Sequence, residues 1–229
     1  MSIEKKYILV DTKEKVKLLL DHIDQSEVIA YDTETDSLNV RKGNIVGFSV
    51  SGEVGVGFYL PTLLWNIGTL KLEENVISGT GAHQIAKVII QKLKGKKIIC
   101  HNASFDIRYT RNYYGIDLLE DLWIDTGLLL HTVAEEGAFG YGNPFALKSI
   151  AKKYQNELEL DENDEANQEQ LDLKESIKRN GGTITKEAYE IYKADIEILA
   201  KYAAADTDLT LRIANYLLTI LKEENLEKF

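Results

Sequence analysis

Val28-Ile29-Ala30-Tyr31-Asp32-Thr33-Glu34 is an apolar run that closes on two carboxylates. Uninterrupted apolar residues between polar flanks predict a strand buried on both faces, and so a central strand of a sheet. Upstream, Lys6 to Val10 reads as a short strand, and Thr12 as the N-cap of a helix through about Ile23. Downstream, Ile45 to Val50 and Val56 to Leu60 read as strands around the turn Ser51-Gly52-Glu53. Ile85, Val88, Ile89 and Leu93 recur at helical spacing within Ala82 to Leu93, and Gly95 ends that helix.

Lys97 to Cys100 is a further strand, Phe105 to Tyr113 a helix and Leu122 to Ile124 a strand, with Asp125 as the cap of the helix after it. Phe145 to Tyr154 reads as a helix, and Thr185 as the start of a helical region running almost to the C-terminus. This order predicts an α/β domain, a mixed sheet flanked by helices, and a single domain over residues 1–229. Residues of about 155–182 read as an acidic insertion with at most one helical segment, near Leu171 to Ile177.

Composition narrows the function without choosing it. An apolar fraction of 44% is ordinary for a globular chain. A single cysteine, Cys100, excludes an internal disulfide and suits a reducing cytoplasm. Met1-Ser2-Ile3-Glu4-Lys5-Lys6 lacks the apolar stretch of a signal peptide, and no run approaches the roughly 18 apolar residues of a membrane span. The expectation is a cytoplasmic protein with no membrane partner. A net charge of −10 argues against a firm grip on long duplex nucleic acid. Part of that excess is local, since residues 155–175 carry nine acids and one lysine.

Three places hold acids in unusual settings. Asp32 and Glu34 end a buried strand, where a carboxylate needs a partner. Asp-x-Glu occurs twice, as often as chance allows with 15 Asp and 22 Glu, so spacing alone is weak. The second case, Asp195-Ile196-Glu197, reads as a helix cap and a first-turn acid. Asp106 follows the strand ending at Cys100, in His101-Asn102-Ala103-Ser104-Phe105-Asp106, where turn chemistry and the helix dipole offer a plainer account. Asp206 lies four residues after Tyr202 on one helix face that also carries Leu199, Leu209 and Ile213, and a charge in that apolar stripe calls for a cation. Asp36, Asp125 and Asp208 read as cap or surface acids, and the four histidines as structural or surface. Carboxylates from two strand ends and a helix suit hard divalent cations, which prefer oxygen ligands.

Tyr31-Asp32-Thr33-Glu34-Thr35-Asp36-Ser37-Leu38, His101-Asn102-x-x-Phe105-Asp106 and Tyr202-Ala203-Ala204-Ala205-Asp206-Thr207-Asp208 occur in that order. Together they resemble the three motifs of the DEDD exonuclease superfamily in its tyrosine variant, above all the 3′→5′ proofreading domain of family A DNA polymerases. The resemblance implies a ribonuclease H-like fold. It implies hydrolysis of the 3′-terminal phosphodiester of single-stranded DNA with two divalent cations, Mg²⁺ or Mn²⁺, releasing nucleoside 5′-monophosphates in proofreading or replication. By the same resemblance Asp32, Glu34, Asp106 and Asp206 are the metal ligands. Glu34 and Tyr202 orient the attacking water, while Thr33, Leu38, Asn102, Phe105 and, by a weaker match, Lys153 touch the substrate.

The chain ends where a polymerase domain begins in the resembled family, so a separate polymerase or replication subunit is the expected partner. Two other readings stay open: an RNA-trimming exonuclease resembling ribonuclease D, and an inactive ribonuclease H-like binding scaffold. The filled acidic set opposes the scaffold.

Overall fold

The computed structural model describes residues 3–133, 145–160, 165–185 and 188–224. Its centre is a six-stranded sheet built from β1 (Lys6–Leu9), β2 (Val28–Thr35), β3 (Ile45–Glu53), β4 (Val56–Pro61), β9 (Lys97–Cys100) and β10 (Leu122–Asp125), in the order β1-β4-β3-β2-β9-β10. The pairs β2–β3 and β3–β4 are antiparallel; β1–β4, β2–β9 and β9–β10 are parallel. The sheet is therefore mixed, with β2 interior as its apolar run predicts.

Side chains alternate across each strand, so the two faces of β2 carry different residues. Ile29 and Tyr31 join a core with Leu19 and Ile23 of α1 (Lys13–Gln25), Ile89 and Ile90 of α2 (Ala82–Leu93) and Ile107 of α3 (Ala103–Tyr114). On the other face, Ala30 and Ile99 pack with Leu211 and Ala214 of α7 (Ile196–Glu223). This helix lies close on the sheet: a Cβ at Gly57 of β4 would stand 2.5 Å from the Ala204 carbonyl oxygen. The Ala203-Ala204-Ala205 stretch, buried throughout, makes that approach possible.

Several expectations needed revision. Thr185 does not start a helix; residues 188–195 hold a short 3₁₀ turn at Ile191–Lys193, and α7 begins at Ile196. Asp195 sits at the N-cap of α7, but its carboxylate faces Asn180 and Arg179 instead of the helix N–H groups. Residues 61–81, which show no clear period, form two small hairpins: β5 (Leu63–Asn66) with β6 (Lys71–Glu74), and β7 (Val76–Ile77) with β8 (Thr80–Gly81).

The remaining helices are α4 (Thr126–Val133), α5 (Leu147–Lys153) and α6 (Glu165–Arg179). The acidic stretch is thus more than a surface loop, because Leu173 and Ile177 of α6 are fully buried against Leu199 and Ala203 of α7. Among the described residues no helix is long and apolar enough to cross a membrane.

Candidate active site

Strand alternation that turns Tyr31 toward α3 turns Asp32 and Glu34 toward α7. The helical face predicted for Tyr202 and Asp206 meets them there. Asp106, Glu34 and Asp206 all raise the proton affinity of Asp32. Asp206 and Asp106 act likewise on Glu34. Asp106, on the first turn of α3, is buried and accepts from the Thr33 amide at 2.9 Å and the Thr33 hydroxyl at 2.6 Å. The structure therefore brings together all four acids from three distant segments.

Thr33 was expected to touch substrate. It is buried, and both its N–H and its hydroxyl are given to Asp106, because alternation turns it to the α3 side. Its work is to hold a carboxylate. Tyr202 lies against the acids, with Asp206 and Glu34 both acting on its hydroxyl. Leu38 is 77% exposed, Phe105 is half-buried against Tyr109, and Asn102 is exposed in a left-handed conformation (φ 62°) that asparagine tolerates. Asp125 fastens the turn before α3, accepting from the amides of Asn102 at 3.1 Å and Ala103 at 2.8 Å, and it also caps α4 through Gly127.

Sequence reasoning missed three neighbours. Lys148 of α5 forms an ion pair with Asp206, and its ammonium lies 5.2 Å from the Tyr202 ring centre. Lys153, which the resemblance offers by a weaker match, is exposed and sits over the Tyr154 ring. Helical spacing contained the signal: Lys148 is three residues before the buried Ala151, on the inward face. Glu169 of α6 is buried with its Oε1 lacking a hydrogen bond, Lys201 Nζ stands 3.7 Å away, and burial pushes its carboxyl up to about 7. Tyr189 is the third, its hydroxyl pushed up to about 12 by burial and by Glu34 and Asp206. Neither Glu169 nor Tyr189 belongs to a recognisable spacing.

The donor set suits a hard divalent cation. All four charged ligand candidates are oxygen donors. In register, Ser49 lies opposite Asp32 and Tyr59 opposite Ser49, and both hydroxyls are buried without a hydrogen-bond partner among the described residues. Unpartnered hydroxyls beside carboxylates provide anchors for a cation's water shell. Among the described residues no group of three or more His, Cys, Asp or Glu side chains stands ready-arranged around an ion. The Lys148 ammonium is the cation now paired with Asp206.

Burial first, and mutual repulsion second, hold the Asp32 carboxyl well above the usual carboxylate range and push Glu34 up to about 8. Burial pushes Asp106 up to about 7 against the Thr33 hydrogen bonds. Unfolded carboxylates ionise near about pH 4. The metal-free folded state thus keeps protons that the unfolded chain has released, so its stability is fully present below about pH 4 and falls as pH rises through 7 and 8. A bound cation takes the place of those protons. Mg²⁺ is accordingly expected to raise the thermal midpoint by several degrees at pH 8.5 and hardly at pH 5.5, with proton release on binding. Equal stabilisation at both pH values would show the carboxylates already ionised.

Comparison with known proteins agrees with this geometry. The model of the polymerase A type 3′-5′ exonuclease family matches residues 7–222. The chain belongs to the 3′-5′ exonuclease family. The DNA polymerase of Escherichia phage T5 is 25% identical over 202 residues, covering 86% of this chain and 21% of that protein. DNA polymerase I of Borreliella burgdorferi is 23% identical over 228 residues, covering 97% of this chain and again 21% of the relative. The chain therefore spans about a fifth of the length of these curated relatives.

Among solved structures, Brucella melitensis NrnC bound to pGG superposes with a TM-score of 0.57 at 16% identity, covering 99% of this chain and 86% of that one. Escherichia coli RNase D, an exoribonuclease, gives 0.55 at 17% identity, covering 97% and 47%. These likenesses establish the ribonuclease H-like fold of DEDD exonucleases, as the motifs implied. The exonuclease is of the DEDD type, a class that uses divalent metals, and NrnC has been solved with bound Mg²⁺.

Proposed function

We propose that this exonuclease removes nucleotides one at a time from the 3′ end of single-stranded DNA, with Asp32, Glu34, Asp106 and Asp206 holding two divalent cations, Mg²⁺ or Mn²⁺. The observation that carries the reading is the convergence of four acids from one strand and two helices onto one site, where Lys148 pairs with Asp206. The DNA substrate is favoured by the kinship with DNA polymerases. Bound there, the cations would supply an activated water and neutralise charge at the scissile phosphate.

The chain's own residues do the positioning. Tyr202 keeps its proton, because burial and then the charges of Asp206 and Glu34 raise its hydroxyl well above its ordinary value. It orients the attacking water as a hydrogen-bonding hydroxyl and is not a base; Glu34 holds the water from the other side. Thr33 fixes Asp106. Leu38 wedges against the terminal base, and Asn102 and Phe105 line the nucleotide pocket. Tyr202→Phe is expected to slow single-turnover cleavage by about 10- to 100-fold, below the full range of a general base, with cation binding intact. An unchanged rate would make Tyr202 a packing residue.

Such an activity fits proofreading beside a DNA polymerase, on the same chain or a separate one. The deciding assay uses 5′-labelled DNA and RNA strands of matched sequence with Mg²⁺, Mn²⁺ or EDTA. A 3′→5′ ladder on DNA that disappears with EDTA is expected. A ladder on RNA alone would move the enzyme to RNA trimming, the role of its RNase D-like structural neighbours.

A further inference from the structure

Two of the five arginines have no carboxylate partner among the described residues, and both line one groove. Of the five arginines, Arg111 pairs with Asp117, Arg179 with Asp195 and Arg212 with Asp208. Arg41 and Arg108 have no ion pair among the described residues, and both are exposed. They line an open groove of about 600 Å³ together with Leu38, Asn102, Ser104 and Phe105. Ser104 and Arg108 are four apart on α3 and face the same way. Its lining includes Phe105, the residue before Asp106, and Leu38, four residues past Glu34.

The wall carrying Arg41 is preformed. The loop between β2 and β3 is closed by Asp36, which accepts from the Asn44 amide and side chain, each at 2.7 Å. It is tied to α3 by the Tyr109 hydroxyl donating to the Ser37 carbonyl and by Asn112 donating to the Val40 carbonyl at 3.3 Å. Its apex is therefore held against α3, with Arg41 across the groove from Arg108. Two exposed guanidiniums on an otherwise acidic protein, beside an exposed leucine and a phenylalanine, match a nucleic-acid strand: phosphates for the arginines and base faces for the apolar side chains.

We propose that the strand leaves the terminal-nucleotide pocket of Leu38, Asn102 and Phe105 along the rest of this groove, where Arg41 and Arg108 contact upstream phosphates and so set a preference for longer strands. The proposal rests on the exonuclease reading above, and the phosphate chemistry is common to DNA and RNA. The test compares wild type with the Arg41→Gln/Arg108→Gln double variant. Both side chains are exposed and have no ion pair among the described residues, so the thermal midpoint serves as a check that folding is intact.

One readout is the ratio of kcat/KM for a six-nucleotide strand to that for a dinucleotide, which lacks upstream phosphates; the ratio should fall about tenfold in the variant. The other is binding of labelled DNA and RNA strands in EDTA across a salt series. The slope of log affinity against log salt should shrink by about 0.7 per lost phosphate contact, about 1.4 for the pair. A loss confined to DNA or to RNA assigns the groove to that strand. An unchanged length ratio together with an unchanged salt slope would overturn the proposal. Wild-type protein that binds strands with the expected slope yet cleaves none would sink the exonuclease reading and leave the groove standing.

Discussion

Asp206→Ala is expected to lower 3′-terminal cleavage by about 10³-fold, the upper range for losing one group that stabilises a transition state. The fold should survive. Asp206 stands beside Asp32 and Glu34, whose charges oppose its own, and among the described residues its ion pair is with Lys148. Removing it relieves repulsion and leaves Lys148 beside the remaining carboxylates, so the thermal midpoint should move by no more than a few degrees. Single-turnover cleavage with saturating Mg²⁺ and a melting curve on the same preparation make the check. Near-normal turnover would mean that Asp206 is no part of the metal set.

Two residues further along the same helix the expected effect reverses. Asp208 is 2% exposed and accepts from the Gly55 amide at 2.7 Å, the Tyr7 hydroxyl at 2.8 Å and Arg212 Nη2 at 3.0 Å. Arg212, itself buried, also donates to the Leu158 carbonyl at 3.2 Å. The cluster joins the edge strand β1 and the β3–β4 turn to α7. Asp208→Ala strands a guanidinium and a backbone N–H in the interior, a loss of about 3–5 kcal/mol for a broken buried pair. In a chain of this size that corresponds to roughly 10 °C in the thermal midpoint. Urea denaturation of the variant measures it. A loss under about 1 kcal/mol would show that water reaches Arg212 in place of the carboxylate.

The contrast between these two aspartates shows what the sequence can and cannot express. Asp206 was legible because a tyrosine stands four residues before it in a motif whose two companions occur in order. Asp208 looked like a surface acid, since its partners Tyr7 and Gly55 come from the opposite end of the chain and carry no local signal. The central strands were legible for a similar reason: β2 and β9 are apolar runs, and burial on both faces writes itself into consecutive residues. The hairpins β5–β6 and β7–β8 were not, because Lys71–Glu74 is charged and largely exposed and strands of two to four residues are too short to display a period.

Glu169 and Lys148 illustrate the same limit at the site. The acidic run around residue 165 dominates any reading of composition, yet tertiary contact decides that Leu173 and Ile177 are core and that Glu169 is enclosed. Lys148 resembles its neighbours Lys152 and Lys153 in sequence. Only the direction of a short helix separates the one that meets Asp206 from the two that face solvent.

The central claim is that four carboxylates form one divalent-metal centre at which the 3′ end is cut. Calorimetric titration of Mn²⁺ into metal-free protein, with strand cleavage followed across the same concentrations, tests it most directly. The account predicts saturable binding of two ions with proton release, cleavage appearing over the same range, and loss of both in Asp206→Ala. Cleavage that persists in EDTA, or Mn²⁺ binding that Asp206→Ala leaves untouched, would contradict it.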